Sequence, residues 1–211
     1  MTTARPSVGA GLESDIPHPE KYVFRTFASA LLIVGSVSNT ATAGAFGIEM
    51  GTPLVDLKVV GVFDDLSPVK SYDIRVPAPN PDFGIYTVDL SPRTGVCRIY
   101  AVSRNYPNDQ SGAQIKAVYS RVKADLVRKY GQPAQQNQRP ATRNFATSLH
   151  TDESNLTSGW IPNGGKADDV RAIHLMATAP DSSTTALMIA YAFTNDDACA
   201  DLEAEAEGAG L

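Results

Sequence analysis

The residues of this chain that could do chemistry begin with one histidine beside two carboxylates. His150 precedes Asp152 and Glu153, so the three side chains could supply a base with an orienting carboxylate, or two metal ligands. Adjacent acidic residues near a helix end are more often solvated surface, and no third ligand stands at a spacing that metals use. The pattern therefore assigns no catalytic or metal-binding residue here.

The other candidate motifs are no stronger. His174 stands between Ile173 and Leu175 in a predicted strand, so its side chain is expected to point away from theirs, as a surface or hydrogen-bonded histidine does. The chain has no Gly-x-Ser-x-Gly elbow and no glycine-rich phosphate loop. Three aspartate pairs, at 64–65, 168–169 and 196–197, stand at element edges, where aspartates usually form turns or caps. No catalytic, cofactor or metal residue is assigned.

The two cysteines, Cys97 and Cys199, are the only pair of reactive side chains that the sequence predicts to come together. In an oxidising compartment, a pair without a third competitor most simply forms one disulfide. Two free buried thiols and a metal pair are the alternatives, and the metal pair lacks nearby histidine ligands.

The segment 24–46, FRTFASALLIVGSVSNTATAGAF, indicates the compartment. Its apolar part is shorter than the roughly 20 residues that a membrane-spanning helix needs. Basic residues precede it and Ala41-Thr42-Ala43 follows it, a pattern typical of a secretory signal peptide cleaved after Ala43, or after Ala45. The alternative, a helix of the folded domain, would need polar residues at helical spacing, which the apolar part lacks.

The predicted leader covers residues 1–43, and residues 1–22 are unusually polar for the start of a signal peptide. We hypothesise that translation starts near Val23, so residues 1–22 are not made. Removing the first 43 of the 211 residues leaves 168, enough for one domain, 44–211, or two fused units, 44–105 and 111–199. The net charge of −5 without a basic block argues against nucleic acid or an anionic membrane as the partner.

The elements that must position these side chains follow from periodicity. Thr52 and Pro53 predict a short helix start, and the spacing of Ile115, Val118, Val122 and Leu126 predicts a helix after Ser111 that stops at Gly131 and Pro133. A turn or two of helix is predicted over 144–150, an exposed connector over 134–143, and a fraying acidic tail after Cys199. Six strands are predicted, at 72–76, 85–90, 96–102, 156–161, 170–178 and 185–193.

These elements predict an α+β fold, with an antiparallel sheet of about six strands and helices on one side, and their order allows a division into two α-β-β-β units. The last strand is apolar on both faces and is therefore expected in the middle of the sheet. Aromatic side chains such as Trp160 and Tyr191 are more often core than contact. If exposed on an open sheet face, they would mark a partner surface.

Several phrases together resemble small exported proteins of proteobacteria that have no assigned activity. They are FGIEMGTPLVDL, the hairpin VPAPNPDFGIYTVDLSPRTGVCRIYAV, LVRKYGQP, SLHTDESNLTSGW and IAYAFTNDDACADL. The resemblance implies a periplasmic location and the cysteine pair, but no catalytic residue. The helix-plus-three-strand units also resemble those of the periplasmic β-lactamase inhibitor proteins and the small lipoprotein of outer-membrane barrel assembly, which are binding proteins.

The sequence therefore favours a non-enzymatic periplasmic module that binds or inhibits an unidentified protein of the cell envelope, without a cofactor. The alternative is a periplasmic hydrolase whose carboxylates are brought together by folding. An open apolar sheet face would favour binding, and a deep pocket that gathers carboxylates with His150 would favour catalysis. The sequence leaves the oligomeric state open.

Overall fold

The computed structural model describes residues 44–64, 66–141, 143–162 and 169–209. All of them lie in one of the two units into which the chain divides, Thr40–Leu211. The predicted leader and signal peptide, 1–43 with its cleavage site after Ala43, lie outside the described residues.

A single antiparallel sheet forms the body of this unit. Its eight strands are β1 (Lys58–Asp64), β2 (Lys70–Arg75), β3 (Ile85–Ser91), β4 (Gly95–Val102), β5 (Gln135–Arg139), β6 (Asn155–Trp160), β7 (Val170–Thr178) and β8 (Ala186–Phe193). They lie in the order β1-β2-β3-β4-β8-β7-β6-β5. The predicted α+β class and antiparallel sheet are confirmed, but the sheet has eight strands where about six were predicted.

The strand order places the two halves of the chain on the two sides of the sheet. Each half begins at one edge and adds strands inward, so the halves meet where β4 pairs with β8. The prediction that the last strand lies in the middle of the sheet is confirmed. Whether the units 44–105 and 111–199 descend from one ancestor stays a prediction.

One face of the sheet, here called the core face, packs against the long helix α1 (Ala113–Tyr130) and the short helix α2 (Phe145–His150). The buried side chains of α1 recur every three or four residues, as predicted, and they join the hydrophobic core with alternate residues of the central strands. Gly131 ends α1 with φ 82°, and its N–H donates to the carbonyl of Val127.

The start of α1 differs from the prediction in its cap. Ser111 Oγ accepts from the Ala113 N–H at 3.2 Å, but the buried Asp109 carboxylate satisfies the next two amides, those of Gln114 and Ile115, at 3.1 and 3.0 Å. Asp109 also accepts from the Thr185 hydroxyl at 2.8 Å. One buried carboxylate therefore fixes the helix to the loop before β8.

A third helix, α3 (Asp196–Ala209), lies on the opposite face of the sheet, here called the outer face. Successive side chains of a strand point to opposite faces. In β4, Ile99 and Ala101 belong to the core that α1 joins, whereas Arg98 bonds to residues of α3. The prediction of helices on one side of the sheet is therefore wrong for α3, and the segment predicted to fray is helical.

The two strands that were not predicted, β1 and β5, are the two edges of the sheet. Residues 135–139 were predicted to be a connector, yet they pair with β6 along five residues as β5. After Pro53 the chain makes only a three-residue 3-10 turn, Leu54–Asp56, in place of the predicted short helix, and then enters β1.

Candidate functional site

The predicted group of His150, Asp152 and Glu153 does not converge on one point. His150 is exposed at the end of α2, and its Nδ1 lies 3.2 Å from the carbonyl of Ala179. Glu153 Oε1 accepts from the guanidinium of Arg143 at 2.6 Å, and the backbone carbonyl of Asp152 accepts from Arg139. Each of the three residues is engaged in a separate contact of its own.

The aspartates at element edges serve local structure where the structure describes them. The Asp64 carboxylate accepts from the Ser67 hydroxyl and from the N–H groups of Leu66 and Ser67. These hydrogen bonds lower the pKa of Asp64, and the bond from the Ser67 hydroxyl has the largest effect. Asp196 and Asp197 open α3, where carboxylates complement the helix dipole. Asp65 and Asp168 lie outside the described residues.

The fold does gather carboxylates in one place, around Arg98 on the outer face. Its guanidinium donates to Asp196 Oδ1 at 2.5 Å and to both oxygens of Glu203 at 2.8 and 3.2 Å, and Asp89 Oδ2 lies 3.5 Å away. Burial opposes the charged form of Arg98, but its hydrogen bonds to the Glu203 and Asp196 carboxylates outweigh that effect and raise the pKa of the guanidinium. The carboxylates gathered here are therefore paired with the guanidinium of Arg98.

Asp89 connects this cluster to the neighbouring strands. It is buried, and it accepts from the Ser71 hydroxyl at 2.6 Å and the Tyr100 hydroxyl at 3.0 Å. Burial and the nearby Asp89 charge raise the pKa of the Tyr100 phenol. The Arg98 cluster, defined here as Arg98, Asp89, Asp196, Glu203 and Tyr100, thus ties α3 to β2, β3 and β4.

The two cysteines lie beside this cluster. Cys97 is bonded to Cys199 of α3, their Cα atoms are 6.5 Å apart, and both are fully buried with Val69 against Leu202. Cys97 is the extra residue of a β-bulge, because Asp89 pairs with Arg98 while Leu90 pairs with Val96. The bulge turns the Cys97 side chain to the outer face, although regular alternation along β4 would place it on the core face with Ile99. Helix α3 is thus fastened by a covalent bond and an ionic cluster.

Beyond α3, the outer face is open among the described residues. A row of apolar side chains crosses four neighbouring strands there: Ile85 pairs with Val102, Val102 with Met188, and Met188 with Met176. We call these four residues the apolar row. Ile85 is 54 % exposed, and the other three are half-buried. Directly opposite positions lie about 5 Å apart, so the row is continuous.

The outer-face residues around the apolar row include no acidic side chain on β5 to β8. The next row toward α3 consists of Tyr100, Ala190, His174 and Gly159. His174 is exposed and points away from Ile173 and Leu175, as predicted. Alternation assigns no acidic side chain to the outer face of β5 to β8, although the chain carries a net charge of −5.

The partner surface predicted at Trp160 and Tyr191 is not at the surface. Trp160 is 2 % exposed and its indole N–H donates to the Gly131 carbonyl at 2.9 Å, while Tyr191 is 8 % exposed and packs edge-on against Phe46. Both residues face the core, where α1 and residues 44–57 cover the sheet. The exposed apolar residues of the opposite face were not singled out, although the two apolar faces of β8 were the signal that could have found them.

The grooves on the core-face side are lined by basic side chains rather than by paired carboxylates. Two grooves of about 530 and 660 Å³ share Lys116 and Gln138, and their charged lining side chains are Lys116, Lys123 and Arg143. A third groove, of about 450 Å³, contains Asp82, which is paired with Arg121 at 2.5 Å. None of these three grooves brings His150 together with carboxylates, the arrangement that the hydrolase alternative requires.

The described residues contain no group of three histidine, cysteine or acidic side chains placed to hold a metal ion. No helix within the described ranges has the length and apolar character needed to cross a membrane.

Comparison with protein-family models, curated proteins and solved structures finds no match to this chain. The assignment of function therefore rests on the geometry of the chain itself.

Proposed function

We propose that this protein is an exported, non-enzymatic module that binds a protein of the cell envelope through the apolar row and its surroundings on the outer face. The observation that carries the proposal is the apolar row itself, four apolar side chains at directly opposite positions of four neighbouring central strands, with no described element above them. Exposed contiguous apolar surface on a protein usually marks an interaction site.

The composition of this surface favours a protein partner. Methionine side chains adapt their shape to a bound surface, and the row presents two of them, Met176 and Met188, at its centre. A small residue, Ala190, and an exposed histidine, His174, lie directly beside them. A rigid sheet that presents adaptable apolar side chains is suited to hold an apolar anchor of a partner.

The charge pattern narrows the class of partner. The outer face of β5 to β8 presents Arg139 and His174 but no carboxylate, so a partner with an acidic rim around an apolar anchor is complementary to it. An export route is supported by the apolar segment before Ala43 and by the disulfide, which persists in oxidising compartments.

The test is affinity capture of envelope proteins by the oxidised protein and by three variants. Met176→Glu and Met188→Glu each place a carboxylate in the apolar row. Ile161→Glu is the control: it replaces an apolar side chain that is 64 % exposed and lies outside the row. A partner retained by the wild type and Ile161→Glu, and lost with both methionine variants, supports the proposal. A partner captured equally by all four proteins contradicts it.

A further inference from the structure

The exposed apolar side chains of this protein are concentrated at one edge of the sheet. Nine large apolar residues are exposed among the described residues, and seven of them lie between Leu54 and Leu66, in and around β1. The most exposed are Val55 at 87 %, Phe63 at 74 % and Leu66 at 95 %. Edge strands are usually protected by charges, prolines or β-bulges, and β1 has two bulges and a charge at each end, but its middle is apolar and exposed.

The sequence of β1 is chemically symmetric about its centre. It reads KVVGVFD, with Lys58 at one end, Asp64 at the other, Gly61 in the middle and apolar residues between. An antiparallel arrangement of two β1 strands about a two-fold axis at Gly61 brings Lys58 of one copy to Asp64 of the other, twice. The apolar residues on each side of Gly61 then face one another.

The charges at the two ends of β1 favour this arrangement. Lys58 lies directly opposite Arg75 of β2, both are exposed, and neither has an ion pair with a described residue. Two like charges opposite one another across a strand pair are destabilising. A carboxylate from a second copy would relieve this repulsion. Asp64 is half-buried, and its carboxylate stays ionised because its hydrogen bonds with Ser67 and Leu66 lower its pKa.

We infer that β1 is the contact between two copies of this chain, which associate through their β1 edges about a two-fold axis. The contact is isologous, because the same patch of both copies forms it, so it closes at a dimer. The two β-bulges of β1 place Val60 and Phe63 outside the ladder with β2. These two side chains, 58 % and 74 % exposed, therefore supply the apolar centre of the interface.

The test measures the association of the purified, processed protein by sedimentation equilibrium. The wild type is expected to be a dimer at micromolar concentration. Phe63→Lys is expected to raise the dissociation constant at least about a hundredfold, since it places a cation in the apolar centre. The matched control, Gln135→Lys on the polar edge β5, is expected to leave the constant unchanged. A monomeric wild type, or equal effects of the two variants, overturns the inference.

Charge reversal identifies the two-fold arrangement itself. Lys58→Asp and Asp64→Lys each replace two attractive pairs by two repulsive ones, so each variant alone is expected to dissociate about tenfold more readily. Mixed in equal amounts, they restore both attractive pairs and are expected to form a heterodimer.

Failure of the mixed variants to associate overturns the two-fold arrangement. Asp64→Lys also removes the acceptor of the turn after β1, so circular dichroism checks its folding first. If it does not fold, Lys58→Asp carries the test together with the double variant of Lys58→Asp and Arg75→Asp. The single reversal must weaken the dimer and the double reversal must weaken it further, and an unchanged constant for either overturns the inference.

Discussion

The outer face of the sheet has two regions that differ in what covers them. Over β3 and β4, helix α3 is fastened by the disulfide and by the Arg98 cluster, and the residues beneath it are buried or ion-paired. Over β7, β8 and the far ends of β3 and β4, the apolar row has no described cover. The same sheet face therefore has one region that a helix covers and one region that no described element covers.

The difference agrees with the proposal that a partner covers the exposed region. In the covered region the chain supplies a helix, a covalent bond and a half-buried arginine to close about two strands. A sheet face that is only in contact with water usually carries polar side chains, and the apolar row does not. The presence of two methionines there instead is consistent with a surface that a partner covers.

The largest expected effect on this comparison comes from removing the disulfide. Replacing both cysteines by serine removes a cross-link that closes a loop of 102 residues, and the unfolding free energy is expected to fall by about 4 kcal/mol. Urea denaturation measures the loss. In the variant, backbone amides of α3 should exchange hydrogen faster while those of α1 stay protected. Equal exchange in the two helices would contradict the claim that the disulfide holds α3 on the sheet.

The next effect concerns Arg98. Replacing it with methionine leaves the buried carboxylate of Asp89 without its cation, and we expect a loss of about 2 kcal/mol in the unfolding free energy. Arg128→Met is the matched control, since Arg128 is exposed and pairs only along its own helix. Similar losses for the two variants would show that the Arg98 cluster does not stabilise the covered region.

Substitutions in the apolar row should separate binding from stability. Met188→Glu is expected to change the unfolding free energy by less than about 1 kcal/mol, because the side chain is already half exposed. Affinity for the partner should fall at least tenfold. A loss of several kcal/mol of stability would mean that the row is part of the core and would remove the distinction between the two regions.

The smallest effect is a dependence on alkaline pH. The raised pKa of Tyr100 in the folded state means that the unfolded chain releases this proton first, near pH 10. Stability from the Tyr100 phenol is therefore complete below that pH and declines as the pH rises toward the folded pKa. Tyr100→Phe should make the fall in stability between pH 9 and pH 11 shallower, as urea denaturation at each pH would show, and an identical slope would contradict this account.

The sequence predicted the interior of the fold better than its edges. The spacing of Ile115, Val118, Val122 and Leu126 defined α1, and the two apolar faces of β8 placed it centrally, because burial imposes a periodic pattern. β5 carries only polar residues, and two bulges interrupt the alternation of β1. Pairing with a neighbour, rather than a local pattern, makes these segments strands.

The candidate site was less predictable for a related reason. The cysteine pair could be proposed from composition alone, but the ionic partners of Arg98 come from segments about a hundred residues apart. The aromatic residues that suggested a partner surface are buried, since aromatic side chains mark core and interface equally in a sequence. Only the arrangement of the sheet shows which apolar face is covered.

The central claim is that a protein covers the apolar row in the cell envelope. Oxidation of methionines by dilute hydrogen peroxide, read by mass spectrometry, tests it directly in native envelope extract and on the purified protein. Met176 and Met188 are expected to be oxidised several times more slowly in the extract, while Met50, which packs against the core, changes little. Equal oxidation of Met176 and Met188 in the two preparations would contradict the account.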